Sequence, residues 1–169
     1  MNNAVFYNSP VGALLIEANE TAITKVSFVN TAERVVADEN SIPYRETDVP
    51  LLRTCMQQLD EYFNGDRFLF DLPLAQAGTA FQQSVWDQLQ KIDYGKTLSY
   101  LSLSKKLGNA KAIRAVGTAN GRNQVAIIVP CHRVIGNNGS LVGYAGDLWR
   151  KKWLLHHEAV HANGVQVLF

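Results

Sequence analysis

The spacing of apolar residues changes near residue 75, and this change most limits the folds open to the chain. Before that point lie three extended apolar runs: residues 4–8, 11–18 and 22–29. Such runs, separated by turn residues, predict a meander of strands. A helix opened by Pro50 and ended by Gly65 should follow them. We therefore expect a small sheet-and-helix domain over residues 1–76.

The rest of the chain, residues 77–169, has the spacing of helices. Thr79 and Ser99 are suited to cap two of them, and a third is expected from about Ala110 to Asn120, before Gly121. Two short helices around a glycine turn predict a helix-turn-helix. The third helix has small side chains on most faces and projects Arg114. These side chains fit tight helix packing or a close approach to DNA, and composition alone leaves both open.

Charge is divided between the two halves of the chain. Residues 1–94 hold six Lys/Arg and thirteen Asp/Glu, a net charge of −7, and residues 95–169 hold ten Lys/Arg and two acids, a net of +8. A split of this size suggests that the second half meets a polyanion. Chance clustering on solvated faces is the alternative.

Several classes of protein fit the sequence poorly. No run of eighteen apolar residues and no signal-like start is present, so we expect neither a membrane span nor export. The two cysteines, Cys55 and Cys131, are far apart and are expected to be reduced thiols in the cytoplasm. Histidines and cysteines lack the spacing of a metal site, so we expect no metal and no cofactor.

Cys131 is the strongest candidate nucleophile. The β-branched run Ile127-Ile128-Val129 predicts a buried strand that would present this thiol rigidly at its end. Cys55, by contrast, lies on the apolar stripe of its helix and is explained as a core residue. A thiol becomes reactive when a base or positive charge favours the thiolate.

His132 is the neighbouring base, and it would need a carboxylate to fix its tautomer. Glu158 is the better candidate of the two acids in this half. Contact between the thiol and the imidazole requires a turn and a bridging water, because neighbours on a strand point to opposite faces. His156 and His157 are expected at a helix end, as surface or capping residues.

The segment around Cys131 strongly resembles the active-site signature of O6-alkylguanine-DNA alkyltransferases, the methylated-DNA–protein-cysteine methyltransferases. The signature is Ile128-Val129-Pro130-Cys131-His132-Arg133-Val134. Further motifs follow in family order: Phe81-Gln82-x-x-Val85-Trp86-x-x-Leu89, Tyr94-Gly95-x-Thr97-x-Ser99-Tyr100, Arg114-Ala115-Val116-Gly117, Asn120-Gly121-Arg122-Asn123, Gly143-Tyr144-Ala145-Gly146 and Trp153-Leu154-Leu155-x-x-Glu158. The resemblance covers residues 79–158 strongly and the first half loosely.

The resemblance implies a two-domain α+β fold. The first domain would be ribonuclease-H-like, and the second mostly helical with a winged helix-turn-helix. The implied activity is DNA repair by direct reversal, in which one alkyl group passes irreversibly from O6-alkylguanine, or O4-alkylthymine, to Cys131. The implied partner is double-stranded DNA, bound through its minor groove by a monomer with the damaged nucleotide flipped out; cooperative binding is left open.

Roles for individual residues come from the same resemblance. Cys131 would accept the alkyl group, with His132, Glu158 and Asn123 in one hydrogen-bonded set. The remaining roles fall to Tyr100 as proton donor and rotator of the nucleotide, Lys151 as assisting charge, Val134, Tyr144 and Ala145 as guanine pocket, Arg114 as the finger that replaces the flipped base, and Ala115, Gly117 and Arg122 as DNA contacts.

Four positions depart from the family pattern. Gln124, Ala126 and Asp93 stand where proline is common, and Asp147 replaces a usual glycine. The first two are expected to loosen the loop before Cys131, and Asp147 to weaken DNA binding. None belongs to the Cys131–His132–Glu158 set.

Two other functions compete with alkyl transfer. A non-catalytic lesion-binding relative would bind DNA without chemistry, but such proteins lack the acceptor cysteine. A Cys–His hydrolase would need an oxyanion hole and would not need Arg114 or the basic half.

Overall fold

The computed structural model describes residues 3–30, 42–141, 144 and 147–163. The chain divides into two compact units. The first comprises residues 1–76 together with 124–126, and the second comprises 77–123 and 127–169. The α+β, two-domain prediction is confirmed.

The first unit is built on a three-stranded antiparallel meander. Its strands are β1 (Asn3–Ser9), β2 (Gly12–Ala18) and β3 (Ile23–Phe28), in that spatial order. Residues 10–11 make the tight turn between the first two strands, and Gly12, which follows the turn as the first residue of β2, has a φ of 108°, a conformation that favours glycine. Helix α1 (Pro50–Phe63) packs on this sheet with a buried apolar face: Leu52, Cys55, Met56, Leu59 and Tyr62.

Short segments pair with both edges of this sheet. On the β1 side, the Phe6 amide donates to Pro43 O at 2.9 Å. On the β3 side, Ile23 pairs with Leu74, and Val26 pairs with Val125. Residues 124–126 therefore return to the first unit from a distant part of the chain.

The second unit is mainly helical. Its elements in order are α2 (Ala80–Leu89), β4 (Leu98–Ser99), α3 (Tyr100–Lys106), a 3₁₀ turn (Ala110–Ala112), α4 (Ile113–Gly121), a second 3₁₀ turn (Cys131–Arg133), β5 (Val134–Ile135) and α5 (Leu148–Asn163). Short strands β4 and β5 pair in parallel. Helices α3 and α4, joined through Gly108, form the helix-turn-helix.

Local signals fix the starts of these helices. Thr79 and Gln82 form a reciprocal capping box at the start of α2. The Ser99 side chain accepts from the Ser102 amide at 3.0 Å and caps α3. The Trp86 indole then donates to Ala119 O at 2.9 Å and joins α2 to α4 inside the unit.

The strand predicted for residues 127–129 is wrong. These residues form a turn, in which Ile127 has a φ of 70°, and a 3₁₀ turn containing Cys131 follows directly. The side chains of this apolar run are buried as expected, but the backbone that carries them is a compact loop and not a strand. Among the described residues, no helix has the length and apolar character of a membrane span.

Candidate active site

Cys131 lies at the start of the 3₁₀ turn and is only 6% exposed. Its amide donates to Val129 O at 2.8 Å, and the Arg133 amide donates to Pro130 O at 3.0 Å. Burial raises the pKa of the Cys131 thiol. A hydrogen bond from Asn123, the charge of Lys151 and nearby backbone amides oppose that rise. The site thus carries donors and a cation that favour the thiolate within an apolar environment.

His132 and Glu158 form a buried pair. Nε2 of His132 lies 2.7 Å from Oε2 of Glu158, and both side chains are essentially inaccessible. Nδ1 of His132 is also buried and has no hydrogen-bond partner among the described residues. Burial lowers the pKa of His132, although the Glu158 charge acts in the opposite direction. The imidazole is therefore neutral at pH 7, with Nδ1 available as an acceptor.

Arg133 was not assigned a role from the sequence, yet it is the cation that balances Glu158. Its Nε donates to Oε1 of Glu158 at 2.7 Å, and its Nη1 donates to Ile92 O at 2.6 Å. Burial raises the pKa of Glu158, but His132 and Arg133 outweigh burial and hold it far below its ordinary value. The sequence offered one signal for this role of Arg133. Its half of the chain contains few acids, and an acid that is buried there needs a buried cation as its partner.

Two asparagines hold the loop around the thiol. Nδ2 of Asn123 donates to Val129 O at 2.9 Å, in addition to its hydrogen bond with the Cys131 side chain. Nδ2 of Asn120, at the buried end of α4, donates to Cys131 O at 3.4 Å. Asn120 belongs to one of the family motifs, and the sequence did not predict this role for it. Together the two amides connect the helix-turn-helix to the acceptor loop.

Lys151 and Tyr100 both interact electrostatically with the thiol. The Lys151 ammonium donates to Val134 O and lies 5.9 Å from the Tyr100 ring centre. Burial lowers the pKa of Lys151 to about 8, although the Cys131 charge acts against that. Burial raises the pKa of Tyr100, as does the Cys131 charge, while a hydrogen bond with Asn120 lowers it. The phenol therefore keeps its proton at neutral pH.

The three residues expected in a guanine pocket are Val134, Tyr144 and Ala145. Val134 is fully buried in β5. The pKa of Tyr144 is raised well above its usual range, first by burial and then by the Cys131 charge. Ala145 lies outside the described residues.

The expected DNA contacts lie on one helix and its end. Arg114 and Ala115 are exposed in the first turn of α4, and Arg122 is exposed at its C-terminal cap. A side chain at Gly117 would meet the Tyr100 ring at about 3.9 Å, an ordinary contact distance. The glycine thus leaves space beside a residue of the reactive site.

The structure accounts for three of the departures from the family pattern, two by hydrogen bonds and one by backbone conformation. The Gln124 amide donates to Oε1 of Gln76 at 2.8 Å, and the Ala126 amide donates to Val26 O at 2.9 Å. Proline has no amide hydrogen and could make neither bond. The expected loosening of this segment is therefore not seen. Asp147 has a φ of 73°, a conformation that explains the usual glycine.

The expectation that His156 and His157 lie at a helix end is wrong. Helix α5 continues to Asn163, and His157 is buried and stacked on Trp153 with ring centres 4.9 Å apart. No group of three or more potential metal ligands occurs in the part of the chain that the structure describes.

Comparison with known families matches nearly the whole chain. A family model described as 6-O-methylguanine DNA methyltransferase, ribonuclease-like domain, matches residues 4–76. The DNA binding domain of the same family matches residues 80–160. These matches confirm the ribonuclease-like and DNA-binding halves predicted from the motifs.

Curated relatives carry the same family name. The constitutive methylated-DNA–protein-cysteine methyltransferase of Bacillus subtilis is 44% identical over 161 residues, 95% of this chain and 97% of that protein. The corresponding protein of Methanosarcina acetivorans is 43% identical over 152 residues, 90% of this chain and 95% of that one.

Solved structures show the same fold. The O6-methylguanine methyltransferase of Mycobacterium tuberculosis superposes with a TM-score of 0.82 at 37% identity, over 98% of this chain and 97% of that one. A structure of the M. tuberculosis protein in complex with DNA gives a TM-score of 0.82 at 38% identity, over 94% of each chain. The chain belongs to the 6-O-methylguanine DNA methyltransferase family, the methylated-DNA–protein-cysteine methyltransferases.

Proposed function

We propose that this protein repairs DNA by moving the alkyl group of O6-alkylguanine onto Sγ of Cys131, once per molecule. The observation that carries the proposal is the His132–Glu158 pair. Its 2.7 Å contact occupies Nε2, while Nδ1 is left without a partner among the described residues, next in sequence to the thiol. An ionised Glu158 keeps the proton on Nε2, so Nδ1 can accept the thiol proton through a water.

The chemical step is a displacement at carbon. Sγ of Cys131 forms a bond to the alkyl carbon, and the bond from that carbon to O6 of guanine breaks. His132 takes the thiol proton, and the departing guanine receives a proton from the Tyr100 hydroxyl. The proton held by His132 then replaces the one lost by Tyr100 through solvent. A thioether remains on the protein, and the only other thiol in the sequence, Cys55, is fully buried.

Nearby charges favour this step. The Lys151 ammonium stabilises the thiolate, and the hydrogen bond from Asn123 acts in the same direction. Negative charge develops on guanine as it leaves, and a preorganised donor such as the protonated Tyr100 stabilises it. Val134, Tyr144 and Ala145 would surround the base.

Access to the alkyl carbon requires the nucleotide to leave the duplex, at a cost of roughly a few kcal/mol. The exposed side chain of Arg114 on α4 is suited to fill the gap, with Ala115, Gly117 and Arg122 against the minor groove. The net charge of +8 over residues 95–169 supports a DNA contact in this half. The protein is expected to bind as a monomer.

One experiment tests the proposal against its rivals. The protein is incubated with O6-benzylguanine, or with a duplex containing O6-methylguanine or O4-methylthymine, and the adduct is located by mass spectrometry. We expect one alkyl group per molecule, confined to the Cys131 peptide. Cys131→Ala should abolish transfer and keep DNA affinity, while Cys55→Ala, the matched control, should keep transfer. Turnover without an adduct would indicate a hydrolase, and binding without a mass change would indicate a lesion-binding protein.

A further inference from the structure

Ile127 has a backbone conformation that its side chain disfavours. Its φ of 70° lies in the left-handed region, which β-branched residues rarely adopt. The residue is nonetheless only 1% exposed. A strained residue persists when its surroundings determine its conformation, and such residues cluster where position matters for function.

The segment before Ile127 is held by the sheet of the first unit. The Val26 amide donates to Gln124 O at 2.9 Å, and the Ala126 amide donates back to Val26 O at 2.9 Å. Val125, between them, is fully buried. Residues 124–126 therefore pair with the edge of β3 through an isolated parallel bridge between Val125 and Val26.

The segment after Ile127 is held by the reactive site. Val129 O accepts hydrogen bonds from both Nδ2 of Asn123 and the amide of Cys131. Ile127 and Ile128 are thus the two residues between a paired segment and a loop that is tied to the acceptor. A rotation at Ile127 would redirect everything from Ile128 to Cys131.

We propose that Ile127 is a positioning residue for alkyl transfer: its left-handed backbone, locked by its buried side chain, fixes where the loop presents Sγ of Cys131. The first unit takes part in the reaction through residues 124–126, since their pairing with β3 anchors the start of that loop. This inference rests on the proposed function. A branched side chain at this position holds the backbone angle φ at one value, whereas glycine would allow that angle to vary.

The decisive test compares Ile127→Gly with Ile127→Ala. Both remove the buried side chain, but glycine relieves the left-handed strain. We expect Ile127→Gly to have the higher melting temperature and yet to react more slowly with O6-benzylguanine, on the order of tenfold, because small misplacements of a nucleophile are costly. At Ile128, whose φ is not positive, the glycine variant should be both less stable and slower than the alanine variant. A merely structural role would make the reaction rate follow stability at both positions.

Several outcomes overturn the inference. It is wrong if Ile127→Gly reacts as fast as Ile127→Ala, or if Ile127→Ala is the more stable. Hydrogen exchange on the unaltered protein gives a second measurement: the Ala126 amide should be protected to the level of the sheet, and fast exchange there contradicts the anchoring. If the unaltered protein forms no adduct at all, the proposed function fails first and this inference with it.

Discussion

At the scale of single residues, the charge balance around Glu158 decides how the site works. The carboxylate is fully buried, and its partners are the neutral His132 and the cation Arg133. His132 receives the orienting contact, whereas Arg133 supplies the positive charge that makes a buried carboxylate tolerable. The two contacts are therefore separable by mutation.

Replacing Arg133 should expose this division. We expect Arg133→Met to lower the free energy of unfolding by about 3–5 kcal/mol, because it leaves a buried charge without its cation. The double variant Arg133→Met, Glu158→Leu should recover much of that stability, since buried ion pairs can be exchanged for apolar residues. The double variant should still transfer the benzyl group more slowly than the unaltered protein, because His132 has lost its carboxylate. Urea unfolding measures the stability, and adduct formation measures the transfer rate. If the double variant recovered stability and transfer rate equally, the separate roles assigned to His132 and Arg133 would be wrong.

The pH dependence of transfer should report on His132. Burial lowers its pKa below the ordinary 6.5, so the neutral base persists into mildly acidic solution. We expect the rate with O6-benzylguanine to fall on acidification with a midpoint below 6.5, and Glu158→Gln to move that midpoint further down, since the carboxylate raises the pKa of His132. Stability should also fall below pH 6.5, because the unfolded chain takes up the proton first. A midpoint at or above 6.5 would count against His132 as the base.

Single residues also show what the sequence could and could not predict. Cys131, His132 and Glu158 were identified because their chemistry and motif spacing point to one another. Arg133 and Asn120 stand in the same motifs, but their roles depend on which distant groups they meet. Asp147 was read as an acid near DNA, whereas its left-handed backbone accounts for the usual glycine.

At the scale of elements, capped helices were predictable and the acceptor loop was not. Thr79, Ser99 and Gly65 act within one helical turn, so local sequence suffices to place them. The run Ile127-Ile128-Val129 has strand propensity, but such short apolar runs take their conformation from tertiary contacts. The backbone hydrogen bonds with Val26 before the run join residues about a hundred positions apart, so the run itself carries no sign of them. The hydrogen bond from Asn123 to Val129 O is closer in sequence, but it forms only because the segment between them turns.

Helix α4 gives a prediction that separates DNA handling from chemistry. We expect Arg114→Ala to slow repair of a duplex by about ten- to a hundredfold, because flipping costs a few kcal/mol that the finger would offset. Reaction with free O6-benzylguanine should be unchanged. Lys111→Ala, the matched control, removes an exposed cation from the preceding 3₁₀ turn and should only weaken DNA affinity and its salt dependence. The finger assignment is wrong if Arg114→Ala slows both substrates equally.

At the scale of the whole molecule, sequence order and spatial units do not coincide. The hydrophobic pattern placed a boundary after residue 76, and the family models also divide near there. The first compact unit nevertheless includes residues 124–126, whose pairing with β3 joins segments about a hundred residues apart. Pairing over such a distance depends on where the intervening chain folds, and local patterns do not encode that.

A fragment of residues 1–76 should therefore be an incomplete domain. It lacks Val125, which is fully buried in the intact chain, and the two backbone hydrogen bonds made to Val26. From typical values for a buried valine and for backbone hydrogen bonds, the loss is about 2–5 kcal/mol, a large share of the stability of a small domain. The uncovered edge of β3 should also promote association between fragments. Joining residues 123–127 to the fragment through a flexible linker should restore stability and the monomeric state, as urea unfolding and sedimentation would show. If the fragment of residues 1–76 alone were as stable as the linked form, and also monomeric, residues 124–126 would contribute nothing to the stability of this domain. A domain boundary at residue 76 would then describe it completely.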